Sequence, residues 1–172
     1  MENGLETQDN SVEREALFYA ERARGRAALL ITAATSPSEE GRMEADSHPS
    51  SRPEHVAEHL PITRAAHENG ALMLLQVHHS GRYGKHADLV APTAARSPIN
   101  PLVPREMTEA DIESTIDDFV RTAELAREAM YDGVEIMGSE GYLITQFTCP
   151  RANQRTDGWG GLRAARGVML ST

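Results

Sequence analysis

The sequence predicts an α/β fold in which parallel strands alternate with helices. Three observations carry that expectation. Three short apolar runs have strand length, a stretch of helical character precedes each of them, and turn-forming residues separate the pieces. An order of helix, strand, helix, strand, helix, strand requires right-handed crossovers and a parallel sheet. A doubly wound sheet and part of a (β/α)₈ barrel satisfy that order equally well, and periodicity does not choose between them. A whole barrel needs about 250 residues and eight strands. A chain of 172 residues offering three strands would make an incomplete one.

Residues 12–24 are expected to form the first helix, with Ser11 as N-cap, because Ala16, Tyr19, Ala20 and Ala23 recur on one face. Gly25 ends it, and the run 27–32 reads as a buried strand. Residues 36–53, rich in Ser, Pro, Glu and Gly and without a period, form a loop. A second helix over 54–68 is expected to be interrupted by Pro61 and stopped by Gly70. The next strand is 71–77. Residues 78–106 carry four prolines and read as a functional loop. Thr108 and Asp111 have capping-box spacing at the start of the clearest helix. Ile112, Ile116, Phe119, Ala123, Ala126 and Met130 lie along it at core spacing. The last strand is 133–137, and a loop follows to Gly161.

Composition narrows the functional classes. A formal charge of −9 argues against general binding to a phosphate backbone. No apolar run approaches the ~20 residues that cross a bilayer. The polar start, residues 1–10, lacks a secretory pattern, so a cytoplasmic address is the default expectation. One cysteine, Cys149, excludes an internal disulfide and reads as an inert thiol. Neither a nucleic-acid nor a membrane partner is expected.

Chemistry concentrates where the last strand enters its turn, Gly133-Val134-Glu135-Ile136-Met137-Gly138-Ser139-Glu140-Gly141-Tyr142. Polar turns at the carboxyl ends of strands are where α/β enzymes place reactive groups. The Tyr142 phenol there can act as a proton donor, or it can pack as an amphipathic edge residue. Glu140 can orient that phenol or lie solvated in the turn. Gln76 interrupts an apolar strand, and a buried amide needs partners for both its oxygen and its nitrogen. A planar heterocycle of alternating donors and acceptors supplies them, and so does neighbouring backbone. His78, His79 and His86 suggest a metal, but adjacent strand residues point to opposite faces, so no metal site is expected. Ser80-Gly81-Arg82 lacks the strand–helix junction of a phosphate-cradling loop.

Several segments together resemble the Old Yellow Enzyme family of flavin oxidoreductases. They are Phe18-Tyr19-Ala20-Glu21-Arg22-Ala23, Leu75-Gln76-Val77-His78-His79-Ser80-Gly81-Arg82-Tyr83, Val90-Ala91-Pro92-Thr93-Ala94, Tyr131-Asp132-Gly133-Val134-Glu135-Ile136 and Ser139-Glu140-Gly141-Tyr142-Leu143-Ile144. Gln146-Phe147 and Asn153-Gln154-Arg155-Thr156-Asp157-Gly158-Trp159-Gly160-Gly161 extend the likeness, which starts at Gly4-Leu5-Glu6. The resemblance implies a partial (β/α)₈ TIM barrel holding about strands 2 to 4. It also implies an FMN at the carboxyl mouth and NADPH or NADH as hydride source for an activated alkene.

In that light Tyr142 falls on the family's proton-donating tyrosine, with Glu140 beside it as the second catalytic residue. Gln76 falls on the glutamine that binds the flavin's pyrimidine edge, and Ala33 falls where a backbone group touches the flavin. Met137 and Glu140 stand where many members carry histidine and then histidine or asparagine. The Met/Glu pattern is similar to the 2,4-dienoyl-CoA reductase branch, with an enoyl-CoA substrate and Arg151, Asn153 and Gln154 bordering the acyl channel. Residues 1–172 would then be an incomplete FMN-binding domain without the first strand and the C-terminal half, inactive alone. The iron–sulfur cluster and FAD of that branch belong to regions outside this chain. After Gly161 the family pattern gives way to Leu162-Arg163-Ala164-Ala165-Arg166-Gly167. The alternative is a non-catalytic remnant or interaction module that self-associates through open barrel edges.

Overall fold

The computed structural model describes residues 4–5, 9–45 and 52–161. Glu6, the middle of the 36–53 loop and the stretch Leu162 to Gly167 lie outside them. The chain forms two compact units. The first comprises Met1–Thr35, Ser50–Val77 and Phe119–Ile136, and the second Ser36–Pro49, His78–Asp118 and Met137–Thr172.

The first unit opens with α1 (Ser11–Arg24), which buries Tyr19, Ala20 and Ala23 on the expected face. Its N-cap is Asn10 in a left-handed conformation and not Ser11. Asparagine tolerates that backbone, so the helix starts one residue earlier than expected. β1 (Leu29–Thr35) begins two residues later and ends three residues later than its apolar run suggests. It bulges between Ile31 and Ala34 where it pairs with β2. At the bulge hydroxyls serve as acceptors: Ala33 N–H donates to Tyr19 at 2.9 Å and Gln76 N–H to Thr32 Oγ1 at 2.9 Å. The extra residue therefore leaves these amides satisfied.

Helix α2 (Glu54–His67) runs through Pro61 without the interruption expected of it. Burial of Ile62, Thr63 and Ala66 beyond the proline holds the helix together, and Thr63 Oγ1 donates to the Ala129 carbonyl at 2.8 Å. Gly70 stops the helix as expected, at φ 84°. Ala71 N–H reaches Ala66 O and Gly70 N–H reaches His67 O, the two bonds of a Schellman end. β2 (Leu72–Val77) follows.

Two short strands lie within the proline-rich excursion of the second unit, β3 (Val90–Ala91) and β4 (Arg105–Glu106), paired in parallel. Helix α3 (Glu109–Glu128) starts from the expected capping box. Asp111 N–H donates to Thr108 Oγ1 at 3.1 Å, and Asp111 Oδ2 accepts Thr108 N–H at 2.7 Å. Two members of its expected core stripe are exposed, Ile116 and Met130. Met130 lies past the helix end in a left-handed turn, and the buried positions near that end are Thr122, Ala126 and Ala129. β5 (Gly133–Ile136) is the last strand of the first unit. Beyond it, α4 (Leu143–Thr148) occupies what reads in sequence as loop.

The strands β1, β2 and β5 form a parallel sheet in the order β1-β2-β5. Leu30, Met73, Leu75 and Val77 point into a core with Tyr19, Ile62, Ala126, Ala129 and Tyr131. On the other face Leu29, Ile31 and Leu72 are exposed. Met73 is completely buried, so Met73→Ala should lower unfolding free energy by about 2–5 kcal/mol in a urea titration. An unchanged midpoint would show that this core does not carry the fold. The second unit has its own cluster of Val90, Met107, Ile112, Leu143 and Phe147, with Trp159 packed against it.

Candidate active site

The turn over residues 137–141 places Glu140 and Gly141 in left-handed backbone, at φ 61° and 85°. A Cβ on Gly141 would stand 2.9 Å from the Tyr83 hydroxyl. Glycine is needed there for its φ and for the close approach of that ring. Tyr142 comes next, at the N-terminal boundary of α4. Its ring meets the His78 ring edge-on at 4.1 Å and the Tyr83 ring at 5.9 Å. The phenol therefore sits on a turn whose neighbours fix its direction.

A buried amide ties these pieces together. Gln146 Nε2 donates to the Gly141 carbonyl at 2.8 Å and to the Ser80 carbonyl at 3.4 Å, and its Oε1 accepts Arg82 N–H at 3.1 Å. Leu143 N–H donates to His79 O at 3.1 Å, which adds a second tie. Burial holds His78 neutral by lowering its pKa to about 4. His79 is lowered further, to about 3, by burial and by the neighbouring His78 and His86. Its Nδ1 accepts Gly81 N–H, which puts the remaining proton on Nε2. His86 Nε2 donates to the Arg42 carbonyl at 2.9 Å. Among the described residues no group of three or more His, Cys, Asp or Glu side chains is placed to hold a metal ion.

The other expected site residues have different settings. Glu140, Arg151 and Gln154 are exposed. Asn153 is buried, and its side chain braces the loop: Nδ2 donates to the Phe147 and Trp159 carbonyls and Oδ1 accepts Arg155 N–H. In the first unit Ala33 gives its N–H to Tyr19. Gln76, half-buried, lies in register with Glu135 on β5 and with Ala34 on β1. Glu135 Oε2 is buried and accepts no hydrogen bond among the described residues. An amide beside an unsatisfied acceptor suits the edge of a planar heterocycle that alternates donors and acceptors. The residues present fit a flavin.

Sequence comparison agrees with that chemistry. The model of the NADH:flavin oxidoreductase / NADH oxidase family matches residues 2–167. The chain belongs to that family.

This chain is 35% identical over 158 residues to an NADPH dehydrogenase of Geobacillus sp. (strain WCH70), covering 91% of itself and 46% of the relative. Among solved structures, the old yellow enzyme homologue from Zymomonas mobilis superposes with a TM-score of 0.83 at 31% identity. That match covers 91% of this chain and 48% of the homologue. A 2-naphthoyl-CoA reductase in complex with 2-naphthoyl-CoA gives a TM-score of 0.84 at 28% identity, over 91% of this chain and 26% of that one. The chain thus spans about half the length of the first two proteins and about a quarter of the third. The likeness settles the choice that periodicity leaves open: the fold is that of a partial (β/α)₈ barrel.

Proposed function

We propose that this chain carries part of the active site of an FMN-dependent oxidoreductase that reduces an activated C=C bond. The observation behind it is the Tyr142 phenol, set between the His78 and Tyr83 rings on a braced turn, in a chain of a flavin oxidoreductase family. FMN, reduced by NADPH or NADH, would supply the hydride chemistry. The chain's own residues bind, orient and protonate. Gln76 holds the pyrimidine edge of the ring, and Ala33, whose N–H is engaged by Tyr19, offers its carbonyl side. Tyr142 gives its proton to the alkene carbon that does not receive hydride. Glu140, two positions before Tyr142, orients the polar end of the substrate.

An enoyl thioester such as a 2,4-dienoyl-CoA is the substrate class this reading favours. Its support is the Met137/Glu140 pair and the likeness to a reductase solved with an aromatic acyl-CoA. Exposed Arg151 and Gln154 then border the acyl chain, on a loop braced by Asn153.

In FMN-loaded protein, Tyr142→Phe should cut alkene reduction by about 100-fold, the usual worth of a positioned general acid. Flavin reduction by NADPH should persist, because that half-reaction needs no proton from the phenol. Unchanged alkene turnover would remove Tyr142 as the proton donor.

The exposed Leu29, Ile31 and Leu72 on one sheet face favour a second reading, in which two copies of this chain associate without cofactor. Fluorescence titration with micromolar FMN separates the two. Quenching supports the enzyme, whereas absent quenching together with a dimer in sedimentation supports the assembly module.

A further inference from the structure

We infer that His55 and His59, one turn apart on α2, form with Tyr131 behind them a binding site for one borderline divalent cation such as zinc. The inference goes beyond the flavin reading and does not depend on it. Both histidines line a half-open cavity of about 10 Å³, together with Leu75, Leu125 and Tyr131. That is room for a single ion or a single water. Leu75 and Gln76 are neighbours on β2 and point to opposite faces, so the cavity lies on the helix side of the sheet, away from Gln76.

The run His55-Val56-Ala57-Glu58-His59 has the H-x-x-E-H spacing of helices that hold zinc. Residues four apart on a helix have Cβ atoms ~5–6 Å apart, so two imidazoles there can converge on one ion with metal–nitrogen bonds of ~2.0–2.1 Å. His55 Nδ1 is buried and makes no hydrogen bond among the described residues, and a cation is a partner for its lone pair. His59 Nδ1 lies 2.7 Å from the Tyr131 hydroxyl. With a cation on Nε2 the ring proton sits on Nδ1, where the phenol oxygen accepts it and fixes the ring. Burial keeps His59 neutral, with its pKa lowered to about 4, so at pH 7 no proton has to leave for the ion to bind. The exposed carboxylates of Glu54 and Glu58 offset the positive start of the helix. Among the described residues no third His, Cys, Asp or Glu joins the pair. Water therefore completes the shell, and two imidazoles favour zinc, copper or nickel over magnesium.

The test is titration of the untagged 172-residue chain with Zn²⁺ alone, followed by calorimetry and by the ring ¹⁵N shifts of its histidines. The His55 and His59 ring nitrogens should move together, while those of His78 and His79, buried in the other unit, stay in place. Tyr131→Phe keeps the ring and removes its hydroxyl, so it should weaken zinc binding by about tenfold. His55→Gln removes a ligand and should weaken it further. That variant breaks no hydrogen bond among the described residues, so its urea midpoint without metal should match the wild type. Zn²⁺ should raise the wild-type midpoint and leave that of His55→Gln unmoved. Mg²⁺ should do neither. Zinc binding that survives undiminished in either variant overturns the proposal, as does a wild type whose His55 and His59 shifts stay still at millimolar zinc. Water is then the occupant of the cavity. Neither result bears on FMN, so this proposal and the flavin reading fail separately.

Discussion

Arg155→Met is expected to destabilise the second unit by about 1.5–3 kcal/mol, the usual worth of hydrogen bonds from a charged donor. The Arg155 side chain is only 5% exposed. Its guanidinium donates to the Pro92 carbonyl at 3.0 Å, to the Met107 carbonyl, and to both oxygens of Asp157 through Nε at 3.0 Å. Glu106 lies 3.8 Å from it. The Asp157 hydrogen bonds push the Arg155 pKa up, and Arg155 in turn holds the Asp157 carboxyl below its usual range. A methionine fills similar volume but leaves two carbonyls without their donor and two carboxylates without their cation. Arg155→Lys should rescue little, since an ammonium cannot reproduce a planar fork of donors. The lone Trp159 packs on Phe147 at 6.3 Å and reports the loss directly by fluorescence in urea. A change below about 1 kcal/mol would show that the network is idle.

Much of the sheet was legible because buried parallel strands are continuous apolar runs, and Gly70 and the Thr108/Asp111 pair announce their ends by local chemistry. Sequence and structure differ where a distant partner decides. β1 runs on to Thr35 because Tyr19 and Thr32 hydroxyls satisfy amides at its bulge, and no local propensity encodes that. Pro61 sits inside α2 because packing of the residues after it outweighs one missing backbone bond. Helix α4 has six residues, too short for its period to stand out.

The candidate site divides in the same way. Tyr142 and Gln76 could be singled out from position, one after a strand end and the other as an amide within apolar surroundings. Gln146 enters the sequence reading only through the resemblance and not as the clamp of the turn, since its partners Arg82 and Ser80 lie 64 and 66 positions away in the chain. The signal was present as a polar residue between Ile144 and Phe147 in a largely apolar stretch. Asn153 reads as a substrate contact from sequence, yet its donors serve backbone carbonyls.

Acidification should destabilise the protein before its carboxylates titrate. His59, His78 and His79 are held neutral in the folded chain, with pKa values lowered to about 4, 4 and 3, in each case mainly by burial. Unfolded histidines protonate near 6.5. Between pH 6.5 and about 4 the unfolded chain therefore binds more protons than the folded one, and stability falls as pH falls. Above pH 6.5 the three side chains are neutral in both states and cost nothing. Each contributes a slope of ~1.4 kcal/mol per pH unit, so the three together approach ~4 kcal/mol per unit. By pH ~5 the three together remove about 6 kcal/mol, enough to unfold a chain at the low end of the typical 5–15 kcal/mol range. Asp132 and Asp157 are held below the usual carboxylate range, Asp132 mainly by the Met73 N–H and Asp157 by Arg155, so their losses come later, below pH ~4. Urea unfolding at half-unit steps from pH 7.5 to 4.5 measures the slope. His59→Gln should remove about a third of it, because His59 is one of three equivalent contributors. A stability that stays flat from pH 7 to 5 would mean that these imidazoles are solvated, and the buried ring beside Tyr142 would lose its enforced neutrality.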